Sequence, residues 1–175
     1  MVRRSGLKLL SKLVLAAITL WALLVTASCT CAGGGATASL IPSPEEAKPG
    51  EQFEVQVKIE PGNQGVSAVE IHLVFDAKAM QVMDISPGEL LGERPLPGIL
   101  EIDNEAGILS YSLARIGETT PPTSAATFAT ITFLILESAK AGDYELSCTG
   151  VGLANENFED IPSIKVKRAS VKVRT

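Results

Sequence analysis

The run Gly65–Gly92, GVSAVEIHLVFDAKAMQVMDISPGELLG, leaves this chain few folds to choose from. Val69, Ile71, Leu73 and Phe75 alternate with Ala68, Glu70, His72 and Val74. That period of two sends successive side chains to opposite faces of a strand. Asp76 closes the strand and Ala77-Lys78-Ala79 turns the chain. Met80 to Ile85 reads as a second short strand, which Ser86-Pro87-Gly88 terminates.

The same grammar recurs along the chain. Ala38 to Ile41 reads as a first strand, followed by a Pro42–Gly50 loop. In the next strand Phe53, Val55, Val57 and Ile59 point one way while Glu54, Gln56 and Lys58 point the other, and Pro61-Gly62-Asn63 ends it. Gly98 to Asp103 and Gly107 to Ile116 are joined by a hairpin-like turn at Asn104-Glu105-Ala106. Phe128 to Leu136 is apolar on both faces toward its end, as in a strand near the middle of a sandwich. Tyr144 to Val151 and Ala169 to Val173 complete the set. No helical periodicity lasts longer than a turn. The spacing predicts about nine strands in an all-β sandwich.

The N-terminus stands apart from this pattern. Arg3, Arg4, Lys8 and Lys12 precede an uncharged apolar stretch from Leu13 to Ala27, the layout of an export signal. The apolar stretch is shorter than the ~20 residues a spanning helix needs. Val25-Thr26-Ala27-Ser28 before Cys29 fits a relaxed lipobox, with Thr26 where leucine is commoner. The expected layout is a lipoprotein signal peptide at 1–28, a Gly-rich tether at 29–37 and one domain at 38–175, with Cys29 lipidated. Ordinary cleavage further on, or an uncleaved anchor, are the rival readings. The tether from Thr30 to Thr37 would hold the domain at most ~26 Å from a membrane.

Four of the 15 Lys and Arg lie in residues 1–28, so beyond them 11 face 20 Asp and Glu, a formal charge of −9. Such a surface disfavours nucleic acid and anionic headgroups as partners. Three cysteines make no disulfide framework. With Cys29 lipidated, Cys148 alternates with Tyr144 and Leu146 and reads as a buried thiol. A Cys31–Cys148 bridge stays open outside the cytoplasm.

The ordered set of motifs resembles the cohesin family, the receptor modules that bind dockerins in cellulosome-type assemblies. It begins with Pro49-Gly50 before the Phe53–Ile59 strand and continues through the Phe75-Asp76 turn and Ser86-Pro87-Gly88. Asn104–Gly107 then leads into Leu109, Tyr111 and Leu113; Ala129, Ile131 and Phe133 form an Ala-x-Ile-x-Phe strand; Leu153-Ala154-Asn155 closes the series. The resemblance covers Ala38 to Val173 and implies a nine-stranded jelly-roll sandwich. It also implies a dockerin-receiving sheet face built from the third, fifth, sixth and eighth strands. Carried over by position, that face holds Glu70 and His72 from the third strand and Asp103 from the fifth. The sixth adds Ser110, Ser112, Ala114 and Arg115. The family often has leucine where Ser112 stands and an acidic residue where Arg115 stands, which implies weaker binding or a different partner.

Other chemistries fit the residues poorly. There is one histidine, and no Ser/His/Asp ordering, metal-spaced Cys/His set or phosphate-cradling loop. Glu70 and Asp76 are ~20 Å apart along a strand, too far for a glycosidase pair. Sugar-binding faces of such sandwiches present a strip of aromatic rings. Here only Phe128, Tyr144 and Phe158 are expected outside the core. Glu156–Asp160 lacks the ligand order of a calcium loop, so no cofactor is expected in this chain and any calcium would be carried by the partner. The reading is therefore a non-catalytic, lipid-anchored surface module that binds a dockerin-bearing exported protein. A polysaccharide-binding module of the same fold is the alternative, and a structural surface lipoprotein a third.

Overall fold

The computed structural model describes residues 35–117 and 120–174. The export signal, Cys29, Cys31 and most of the tether lie outside the described residues. Eleven strands form two sheets. They are β1 (Thr37–Ser43), β2 (Glu46–Ala47), β3 (Gln52–Glu60), β4 (Ala68–Val74), β5 (Met80–Pro87) and β6 (Leu96–Asp103). They continue as β7 (Ile108–Ala114), β8 (Ala126–Ile135), β9 (Gly142–Ala154), β10 (Lys165–Lys167) and β11 (Ala169–Val173). One sheet runs β10-β1-β3-β8-β5 and the other β2-β11-β9-β4-β7-β6.

The predicted all-β sandwich is observed, with eleven strands where about nine are expected. The two additions are β2 and β10, of two and three residues. Neither is long enough to show a period. Each exists because a distant strand lies beside it in parallel, β11 for β2 and β1 for β10. The first strand begins one residue before the expected Ala38. Thr37 opens β1, and Ala36 is buried with its carbonyl bonded to the Lys165 N–H.

The inward set follows the alternation. Phe53, Val55, Val57 and Ile59 of β3 face Val69, Ile71, Leu73 and Phe75 across the core, all buried. Aromatic rings tie the layers together. Phe53 stacks on Phe133 at 5.3 Å between centroids, and Phe75 meets Phe133 edge-on at 5.4 Å, geometries that suit the ring quadrupole.

Phe128 departs from expectation. It belongs by parity to the outside of β8, yet it is buried. The β3–β8 register slips between Val57 and Lys58, so Val57 pairs with Ala129, Lys58 with Thr127, and Phe128 pairs with neither. A bulge of this kind re-aims one side chain. Here it turns Phe128 inward, 5.6 Å from the ring of Tyr111.

Candidate functional site

Strands β9, β4, β7 and β6 are consecutive neighbours in the six-stranded sheet. Their registers place the outward residues in four cross-strand rows. The first is Ala154–Ala68–Ala114–Leu96, and the second is Gly152–Glu70–Ser112, ending at a bulge in β6. The third is Gly150–His72–Ser110–Glu101, and the fourth is Ser147–Val74–Ile108–Asp103. In the two middle rows Gly152, Ser112, Gly150 and Ser110 flank Glu70 and His72. Leu96, Val74 and Ile108 are exposed at its margins.

The first two rows enclose a shallow cavity of about 260 Å³ bordered by Ala68, Leu96, Ala114, Gly152, Ala154 and Asp160. Glu70 and Ser112 close its inner side. The residues are small for different local reasons. Gly152 lies beside Glu70, where an added Cβ would meet the Glu70 Cβ at 3.7 Å, an ordinary contact. Gly150 lies against the imidazole, and a Cβ there would come within 3.0 Å of His72 Cδ2.

The polar centre is one hydrogen-bonded chain. His72 Nε2 lies 2.9 Å from Glu70 Oε1, and its Nδ1 lies 3.0 Å from Ser110 Oγ. The Glu70 and His72 side chains are 41% and 43% exposed, whereas Ser110 is only 8% exposed. The three groups are those of a hydrolytic triad, but the ring nitrogens are exchanged: Nε2 faces the carboxylate and Nδ1 the hydroxyl. Ser110 sits mid-strand and is not among the residues lining the face's cavity.

The other expected site residues fall into place unevenly. Ser112 is on the face, but its hydroxyl accepts the Ile99 N–H at 2.7 Å and so fills the β6 bulge. Ala114 lines the cavity. Asp103 is on the fourth row, and its Oδ1 accepts from the Glu105 and Ala106 N–H groups at 2.9 and 2.8 Å, holding the β6–β7 turn. Arg115 lies past the end of β7, where its N–H donates to the Ser67 carbonyl at 2.7 Å. Its Nη1 reaches the Gly117 carbonyl at 3.4 Å, and it lines a separate cavity with Leu90, Arg94 and Thr120. The fold brings Glu70, His72, Ser110, Ser112 and Ala114 together, holds Asp103 at the margin, and places Arg115 elsewhere.

Sequence reasoning missed Leu96, Gly150, Gly152, Ala154 and Asp160. Leu96 stands between Pro95 and Pro97, which reads as a loop, yet a free edge strand tolerates proline. The glycines carry no side chain to single out. Nothing local marks them as a floor.

Cys148 is half-buried where a buried thiol is expected. Burial pushes its thiol pKa up, and the thiol donates to the Gly150 carbonyl at 3.4 Å. Among the described residues no group of acidic, His or Cys side chains is arranged to hold a metal ion. The expected trio of outer rings is not assembled either. Phe128 is in the core, Tyr144 is half-buried with its hydroxyl on the Lys140 carbonyl, and Phe158 stands alone at 77% exposure.

The family model for the cohesin domain matches residues 37–173. Solved structures share the fold at low identity. The seventh ScaB type I cohesin from Pseudobacteroides cellulosolvens is 16% identical, with TM-score 0.67 over 81% of this chain and 93% of that one. The sixth cohesin of scaffoldin B from Acetivibrio cellulolyticus, solved with the Cel5 dockerin, is 20% identical, with TM-score 0.65 over 80% of this chain and 99% of that one. A non-cellulosomal cohesin from the archaeon Archaeoglobus fulgidus is 14% identical, with TM-score 0.63 over 81% of this chain and 92% of that one. A search of curated proteins found no match.

Proposed function

The chain belongs to the cohesin domain family, and we propose that it is a docking receptor whose β9-β4-β7-β6 face receives a dockerin-bearing exported protein. Cohesin domains are non-catalytic interaction modules, and this reading needs no reacting group. The observation that carries it is the four-row face itself, with small residues around Glu70 and His72 at its centre and apolar side chains at its margins. A rigid sheet loses little entropy when a partner is laid across it. Sister cohesins have been solved with dockerins bound.

The partner-contacting residues in this reading are Glu70, His72, Ser110, Ser112 and Ala114, with Asp103 at the margin. Arg115 would contribute only to a partner that reaches past the end of β7. Export and lipidation at Cys29 would keep the docked protein within a few nanometres of the membrane.

The test is a pull-down from the exported proteins of the source organism, with and without calcium, using this chain and its Gly152→Leu variant as baits. A Cβ at Gly152 meets only the Glu70 Cβ, at an ordinary contact distance of 3.7 Å, so leucine there is expected to cover the cavity and leave the sandwich intact. Calcium-dependent recovery of a protein with paired Asp/Asn-rich loops by the parent, and its loss on the variant, is expected. Equal recovery by both baits would move the docking site off this face. Retention on a polysaccharide resin with no protein recovered would replace docking by sugar binding.

A further inference from the structure

The hydrogen-bond chain at the centre of the face has a fixed polarity. A carboxylate only accepts, so the contact between Glu70 Oε1 and His72 Nε2 places a proton on Nε2. In the neutral ring Nδ1 then carries none, and it accepts from the Ser110 O–H. With its proton committed inward, the Ser110 hydroxyl offers only lone pairs to anything laid on the face.

We propose that Glu70, His72 and Ser110 form a proton-driven polarity switch that decides which partner chemistry this face accepts, an inference that rests on the docking reading. With neutral His72 the centre is acceptor-only, and a partner must present donors there, such as a hydroxyl, an ammonium or a guanidinium. Uptake of one proton from solvent turns Nδ1 into a donor. Ser110 Oγ then accepts from the ring, its own proton turns outward, and the imidazolium balances the Glu70 carboxylate. The same spot now offers a donor and matches a carbonyl or carboxylate.

Glu70 flanks the ring on β4, and Glu101 lies beyond Ser110 on β6, with Asp103 one row further. On β9, Gly150 brings no side chain, the Thr149 hydroxyl is engaged with the His72 carbonyl at 3.3 Å, and the half-buried Cys148 pairs with the inward Leu73. No lysine or arginine occupies any of the four rows. Among the described residues of these rows, His72 is the one that can carry positive charge.

The chain has a single histidine, so its imidazole resonances are unambiguous. Long-range 1H–15N spectra of the labelled protein at about pH 8, where an ordinary imidazole is neutral, read the polarity directly. The Nε2–H tautomer is expected, with the Nδ1 resonance moving downfield in Ser110→Ala and the tautomers mixing in Glu70→Gln. An Nδ1–H tautomer, or an Nδ1 resonance indifferent to Ser110→Ala, overturns the switch. These spectra need no partner, so their failure is distinct from a failure of docking. With the captured dockerin, affinity should change about tenfold or more between about pH 8 and about pH 5, the consequence of one mismatched donor or acceptor. His72→Gln should remove that change, and a variant that keeps it overturns the proposal.

Discussion

Asn104 grips Val82 by both of its backbone groups. Its Oδ1 accepts the Val82 N–H at 2.8 Å and its Nδ2 donates to the Val82 carbonyl at 3.0 Å. β5 is the free edge of its sheet, and the side chain takes the place of a neighbouring strand just before the bulge at Met83. One amide thereby ties the five-stranded sheet to the β6–β7 turn of the other. Asn104→Ala leaves a half-buried donor and acceptor without these bonds and should destabilise by about 2–3 kcal/mol. Asn104→Asp keeps the acceptor and should cost less. Urea unfolding of the two variants checks the order.

Two glycines with the same backbone sign should respond differently. Gly107 has φ 72°, and a Cβ there would lie 2.2 Å from the Phe75 carbonyl oxygen. Gly92 has φ 89°, with nothing within 4 Å. Gly92→Ala should cost about 1 kcal/mol, from left-handed strain alone. Gly107→Ala adds a clash with backbone that cannot step aside, and should cost more than twice as much. Denaturation midpoints at equal slope decide it.

Glu89 confers a pH-dependent stability. The Thr127 N–H donates to its carboxylate at 3.1 Å. That bond first, then its own backbone N–H and the charge of Lys58, outweigh burial and hold its pKa below the ordinary value of 4.5. A depressed carboxylate stabilises the fold above its unfolded pKa and loses that contribution as pH falls through the folded one. Glu89→Gln should therefore lower stability at neutral pH and converge with the parent as the pH falls through the lowered folded value. The side chain is largely solvated, so the gap is small. Thermal melts across that range read it.

Phe158 stands at φ 60°, a left-handed conformation that a bulky side chain rarely adopts. Asn155 imposes it. Its Oδ1 accepts from the Asn157 and Glu159 N–H groups at 2.8 and 3.0 Å, and its carbonyl from the Phe158 N–H at 3.1 Å. The ring is largely exposed, so little burial rewards the strain. Phe158→Asn should stabilise the domain by about 0.5–1 kcal/mol, because asparagine tolerates this region. A loss of stability on that substitution would mean that the ring contributes packing.

How much was legible beforehand depends on the range over which each feature is encoded. Val69, Ile71, Leu73 and Phe75 announce their burial through their own neighbours, since a period of two is a local property of the chain. Glu70, His72, Ser110 and Ala114 could be carried to one face because alternation assigns faces once the strand order is assumed. Arg115 fails that logic, because β7 ends at Ala114 and alternation stops with it. Phe128 fails it because a bulge breaks the count.

The sequence by itself determined that this chain is a two-layered β-sandwich and, Phe128 aside, which strand side chains form its core, because burial in a strand follows a repeat of two residues. Only the tertiary structure decided the rest. β2 and β10 exist through parallel partners far away in the chain. Gly150 and Gly152 become the floor of a site through the register of β9 on β4. Glu70, His72 and Ser110 become one hydrogen-bonded chain because β4 and β7 pair with those rows in line. Register is set by the whole packed assembly, and no local stretch of residues encodes it.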